Sequence, residues 1–247
     1  MVFGDRNAQV PAHFIALANA TVPLVASRDR CIRAQLASYA LVKNAEPRLD
    51  DGVKPTPAIE PTLRDVLRSE TSATHERLHG HDGLAAVAAG TIDRAAYTAL
   101  LGRLYGFHHP FELAAQTLPE RTRWLGNDLA VLGVDAAMLA QLPRCIAFPA
   151  TASPDYLLGA RYVVEGSALG GRGLARQLDG LLGIGINAGR RFFSGHGADT
   201  GIVWRGYLAQ LSAVSTAVAS HAAIVSGAVA TFAIFEQWLD EWNQPHE

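Results

Sequence analysis

Lysine is nearly missing from these 247 residues: Lys43 and Lys54 are the only two. Downstream of Lys54 no chemistry can rest on an ammonium group, so an anion there must be held by arginine, histidine or backbone N–H groups. Cysteine is as scarce. Cys31 and Cys145 stand far apart and outside any C-x-x-C pair, which argues against a disulfide framework or a thiolate zinc site and fits a reducing cytoplasm. Neither sign of charge dominates. A net charge of −2 gives no basis for a nucleic-acid surface or an acidic tail. Strict apolar–polar alternation and Asn-Gly hairpin signals are also missing, so strands are not expected.

What is there reads as helix. Residues 1–58 form an extension holding both lysines, with a short helix expected around "RCIRAQLASYALVKNA" and a Pro-rich connector, "EPRLDDGVKPTPAIEP". The apolar run Phe14 to Ala26 is broken by Asn, Thr and Pro and is not read as a signal peptide. Residues 59–247 are expected to form one all-α domain. "TLRD" from Thr62 is a capping-type start, followed by Leu63, Leu67, Thr71 and His75 at four-residue intervals with Leu78 beyond. A second helix is expected from Thr91, with Tyr97, Leu101, Leu104 and Tyr105 inward. A third begins at Pro154-Asp155. One long helix, or two in series, follows from Ala198. Gly206 to Phe235 contains no Asp, Glu, Lys or Arg, but its alanines, serines and threonines favour a buried core helix over a membrane span.

"HERLH", residues 75–79, fits the H-E-x-x-H pattern of zinc hydrolases. Zinc would need a third protein ligand. A downstream glutamate such as Glu112 can be suggested but nothing around it marks it, Arg77 sits between the two histidines, and the longer H-x-x-G-x-x-H continuation fails at Gly80-His81. A di-iron carboxylate site would need a second E-x-x-H, which the chain lacks. The other reading makes His75 a lone axial ligand to a heme.

"VVEGSALGGRGLARQL", Val163 to Leu178, bears on that choice. It is patterned as helix yet holds Gly166, Gly170, Gly171 and Gly173, each costing about 1 kcal/mol relative to alanine in a helix interior. Close helix–helix packing through Gly166-x-x-x-Gly170 is one explanation. The other is a helix that kinks over a flat ligand and brings its backbone within reach of it. One helix with an inward histidine facing another with a glycine patch would suit a porphyrin.

Taken together, "LRSETSATHERLHG", "YVVEGSALGGRGL", "RRFFSGHGADTGIVWRGYL" and "TFAIFEQWL" resemble the bacterial heme oxygenases. The resemblance runs from about Thr62 to Leu239 and is strongest to the biliverdin-producing type paired with phytochromes. It implies a helical bundle with heme clamped between a proximal and a distal helix, and His75 as the iron ligand. It implies that Gly166, Gly170 and Gly171 lie closest to the iron-bound oxygen. Ser167 stands where some members carry an aspartate, and His79 where many carry a carboxylate that orients the ligand. Arg68, seven residues before His75, and Arg205 match cationic positions for the heme propionates, with Tyr162 assisting. Phe192, Phe193 and Trp204 would wall the pocket. The implied reaction opens heme with O2 to biliverdin, CO and iron. Electrons would come from a separate ferredoxin or reductase, since no G-x-G-x-x-G fingerprint follows a strand. A bilin-binding phytochrome is an implied partner. The rival expectations are a heme-binding or sensory protein of this fold without turnover, and a zinc hydrolase.

Overall fold

A computed structural model describes residues 61–149, 152–214 and 217–240, so the helix expected in the extension lies outside the described residues. Among the described residues there are helices and no strands.

Helix α1 (Leu63–His79) starts where the capping pattern places it. The Thr62 hydroxyl accepts from the Asp65 N–H at 3.2 Å, and the Asp65 carboxylate accepts from the Thr62 N–H at 2.9 Å. That reciprocal pair satisfies two of the four N–H groups a helix start leaves open. A short helix α2 (Asp82–Ala89) follows and ends at Gly90, whose φ of 67° is the left-handed conformation that closes a helix.

Helix α3 (Arg94–Ala114) begins three residues later than Thr91, because the Asp93 side chain accepts from the Ala96 N–H and caps it there. Tyr97, Leu101, Leu104 and Tyr105 are buried, as expected. Pro110 inside this helix has no N–H to give the Gly106 carbonyl, and the Cys145 N–H donates to it instead, at 2.9 Å. A side chain at Gly106 would collide with the Pro143 carbonyl. Pro110 and Gly106 therefore let the segment after α5 dock on α3.

Helices α4 (Glu120–Val131) and α5 (Ala136–Gln141) lead to α6 (Pro154–Gln177), which has Ser153 as N-cap and Pro154 at its first turn. Short α7 (Asp179–Leu182) and α8 (Arg191–Ser194) precede α9 (Thr200–Ser212) and α10 (Val218–Asp240). The final apolar stretch is thus two helices in series.

Helix α10 is long and apolar enough to cross a membrane. Its small residues are instead docked on α6, its main partner, and on α1. Gly227 of α10 meets the backbone of Tyr156, and Gly159 of α6 meets the backbone of Ile224. At both places a Cβ would lie 2.0 Å or less from a carbonyl oxygen. This is bundle packing through glycine. Arg103 and Trp238 tie α10 to α3, with the indole N–H donating to the Arg103 carbonyl at 2.7 Å and the guanidinium 3.6 Å above the ring.

Candidate functional site

The buried stripe of α1 is Leu67, Thr71, Thr74 and Leu78. His75 does not belong to it: its side chain is 56% exposed. The reason is helical drift. Steps of four advance roughly 40° each, so His75 lies about 80° round from Leu67, whereas alternating steps of four and three stay centred. His75 therefore sits at the edge of the buried face with Arg64, Arg68 and His79, all exposed, close to the same line. The rings of His75 and His79 are 4.6 Å apart and edge-on, and Phe232 of α10 lies 6.3 Å from His75. The Glu76 carboxylate is 3.9 Å from the His75 Nδ1.

Helix α6 runs unbroken from Pro154 to Gln177 through its four glycines. Three of them share a stripe with Gly159 and Tyr162, since spacings of three, four and seven return to one face. Along that stripe Gly159 is pressed by α10. A Cβ at Gly166 would make an ordinary 3.7 Å contact with Trp204, and one at Gly170 or Gly173 would meet nothing within 4 Å among the described residues. Packing through Gly166-x-x-x-Gly170 therefore does not account for these glycines.

Gly171 is a correction. It points to the other side of α6, where a Cβ would lie 2.7 Å from the Phe193 carbonyl. Its missing side chain is explained by the docking of α8. Phe192 and Phe193 belong to that same side: Phe193 stacks on Tyr97, and Phe192 packs against His108. Neither walls the glycine stripe, whereas Trp204 does.

Tyr162 links the two helices. Its hydroxyl lies beside Thr71 of α1 and near the guanidinium groups of Arg64 and Arg68. Burial raises its pKa, and those three neighbours partly offset the rise. Arg68 and Tyr162 are thus brought together, and Arg64, one turn before Arg68, joins them. The sequence offered a signal for Arg64 in that spacing. Arg205, on α9, is exposed next to Trp204, whose ring is 5.7 Å from that of Tyr162. The exposed Ser167 donates its hydroxyl to the Val164 carbonyl of its own helix at 2.9 Å.

Behind α6 lies a buried polar layer. Arg121 donates to the Glu165 carboxylate at 2.8 Å, with both side chains nearly buried. Glu112, the example suggested as a third zinc ligand, is engaged elsewhere: it accepts from the N–H groups of Arg121 and Thr122 and caps the start of α4. Among the described residues no three metal-capable side chains gather. His108 is buried with its Nδ1 unpartnered, and burial next to Arg121 holds its pKa well below the ordinary value. Asp128 accepts from the N–H groups of Arg191 and Phe192 at the start of α8, and burial raises its pKa.

Comparison with known proteins agrees with this architecture. No curated protein sequence matches the chain. Among solved structures it is similar to heme oxygenase-1 from the cyanobacterium Synechocystis sp. PCC6803, crystallised in complex with heme. That likeness has a TM-score of 0.61 and 18% identity, and it covers 73% of this chain and 92% of that one. At that identity it speaks for the fold. The sequence model of the heme oxygenase family matches residues 62–241, nearly all of what lies beyond the extension. The chain belongs to the heme oxygenase family, whose members are heme-degrading enzymes.

Proposed function

We propose that this protein opens heme oxidatively to biliverdin, CO and iron, with residues 59–247 as the catalytic domain. The observation that carries the reading is the glycine stripe of α6. Gly166, Gly170 and Gly173 sit in an unbroken helix at a cost of about 1 kcal/mol each, and neighbouring helices give no reason for Gly170 or Gly173. A backbone without side chains is what a planar macrocycle needs to lie close. The exposed imidazole of His75 would hold the heme through its iron, and a neutral histidine there would leave that iron able to take O2. Bound heme supplies the oxygen-activating and electron-accepting chemistry, and is itself the substrate.

The protein's own groups hold and steer. Arg68, with Tyr162 beside it, and Arg205 take the propionates, a task for which guanidinium is well suited. Gly166 and Gly170 admit O2 next to the ring and leave one meso edge accessible. The Ser167 hydroxyl, bonded to Val164 at rest, is able to turn and order a distal water. Gly171 supports α6 from behind. Electrons come from a separate ferredoxin or reductase. The cysteine usage supports a cytoplasmic setting, and a bilin-binding phytochrome is the proposed acceptor of the product.

The test is a hemin titration by absorbance of the wild type and of His75→Ala, followed by ascorbate under air. A one-to-one histidine-ligated spectrum decaying to biliverdin in the wild type, absent from the variant, supports the reading. Stable hemin binding without decay would leave a heme-binding protein that lacks turnover. No hemin binding would sink the proposal.

A further inference from the structure

The H-E-x-x-H motif is only half used by a heme reading, which needs His75 alone. His79 lies one helical turn on, and both imidazoles are exposed. Neither is engaged by a hydrogen bond among the described residues, so both lone pairs are available. Metal–nitrogen bonds of about 2.0–2.1 Å near the tetrahedral angle put two chelating imidazole centroids roughly 5 Å apart. The rings of His75 and His79 are 4.6 Å apart. Arg77, which the sequence sets between them, does not oppose a cation. It turns to the other side of α1, where its guanidinium donates to both oxygens of Glu236. The Glu76 carboxylate, 3.9 Å from His75, adds negative charge instead.

We propose that His75 and His79 chelate a divalent transition metal, with zinc or copper(II) as the fitting class, and that this metal competes with heme for His75. Two imidazoles hold the ion, and water fills its remaining positions on the exposed face. Without a third protein ligand the site is not a hydrolase centre. Copper(II) binds more tightly than zinc at such a nitrogen site. The chelate rests on the histidine pair alone, and the competition rests on His75 being the heme ligand.

The experiment titrates the metal-free, heme-free full chain with zinc by calorimetry, comparing wild type, His75→Ala and His79→Gln. Both positions are exposed, so both variants are expected to fold, which circular dichroism checks. The wild type should bind one zinc about tenfold or more tightly than either variant, the gain that comes from linking two ligands. Equal affinity in all three chains overturns the chelate. Hemin titrations are then repeated with saturating zinc. Weaker hemin binding in the wild type, with His79→Gln unaffected, establishes the competition. Zinc bound through both histidines with hemin affinity unchanged overturns the competition and, with it, the assignment of His75 to heme, while the chelate stands.

Discussion

One stripe of α6 behaves in two ways along its length. In the first half, Gly159 faces the Ile224 carbonyl so closely that a Cβ there would lie 1.8 Å from the oxygen. Two to four turns later, at Gly166, Gly170 and Gly173, the same face meets one tryptophan edge and then, among the described residues, nothing within 4 Å. Glycine allows α10 to approach in the first half. In the second half, at Gly170 and Gly173, it allows no approach by any described residue, and the helix bears the cost. Glycine that packs is a statement about the fold, and glycine that costs stability without packing is a statement about a ligand.

The strongest way to break this comparison is to load the packed half. Gly159→Ala pushes a methyl group into the backbone of α10, and neither helix can give way without parting from the other. Overpacking of this kind should cost about 3 kcal/mol or more, or roughly 10 °C in melting temperature for a domain of this size. Gly227→Ala, which strikes the Tyr156 carbonyl, should do the same. Thermal melts of the two variants check this. Wild-type stability in both would mean that α6 and α10 do not meet through glycine.

Two histidines on different helices, His75 of α1 and His108 of α3, extend the contrast. His75 is exposed, while His108 is buried with Arg121 nearby and its pKa held well below 6.5. As the pH falls below about 6.5 the unfolded chain takes up a proton that the folded chain refuses. Stability should therefore decline with acid in that window, until the pH passes the lowered pKa of the folded state. Asp128, whose pKa is raised, acts in the opposite sense nearer the carboxylate range, losing its contribution as pH rises. His108→Phe, matched to its neighbours Phe107 and Phe192, should flatten the decline from pH 6.5 downward. Urea melts across that range would show it, and an unchanged slope would remove His108 as the cause.

Much of the fold was legible because its signals are local. Thr62 and Asp65 announce the start of α1 by themselves, as do Pro154 and Asp155 for α6, and the inward residues of α3 follow from spacing. The seven-residue interval likewise joins Arg68 to His75 on one side of α1. What sequence could not show depends on partners distant in the chain. Gly170 and Gly171 are neighbours in sequence, yet α8 covers Gly171 and no described residue covers Gly170. That was decided by where Phe193 docks. The aromatics of "RRFF" read as pocket wall for the same reason, yet Phe193 is core and the half-buried Phe192 packs on His108. Arg121 and Glu165, 44 residues apart, carry no mutual signal. His75 was read as inward because four-residue steps look like a face over two turns. They drift off it by the third.

The smallest expected effect has the opposite sign, which makes it the sharpest. Gly170→Ala places a methyl group where nothing among the described residues lies within 4 Å. It removes the conformational entropy that glycine brings to a helix, so the heme-free protein should gain up to about 1 kcal/mol, or a rise of roughly 2–4 °C. Hemin affinity or biliverdin formation should fall, because the methyl group stands where the macrocycle or its bound oxygen must come. Gly173→Ala should match the stability gain with a smaller effect on turnover, being a turn further from Gly166. The two readouts, melting temperature and ascorbate-driven heme loss, must move in opposite directions. If Gly170→Ala stabilises the chain and turnover is untouched, the open half of α6 is not the surface that heme meets.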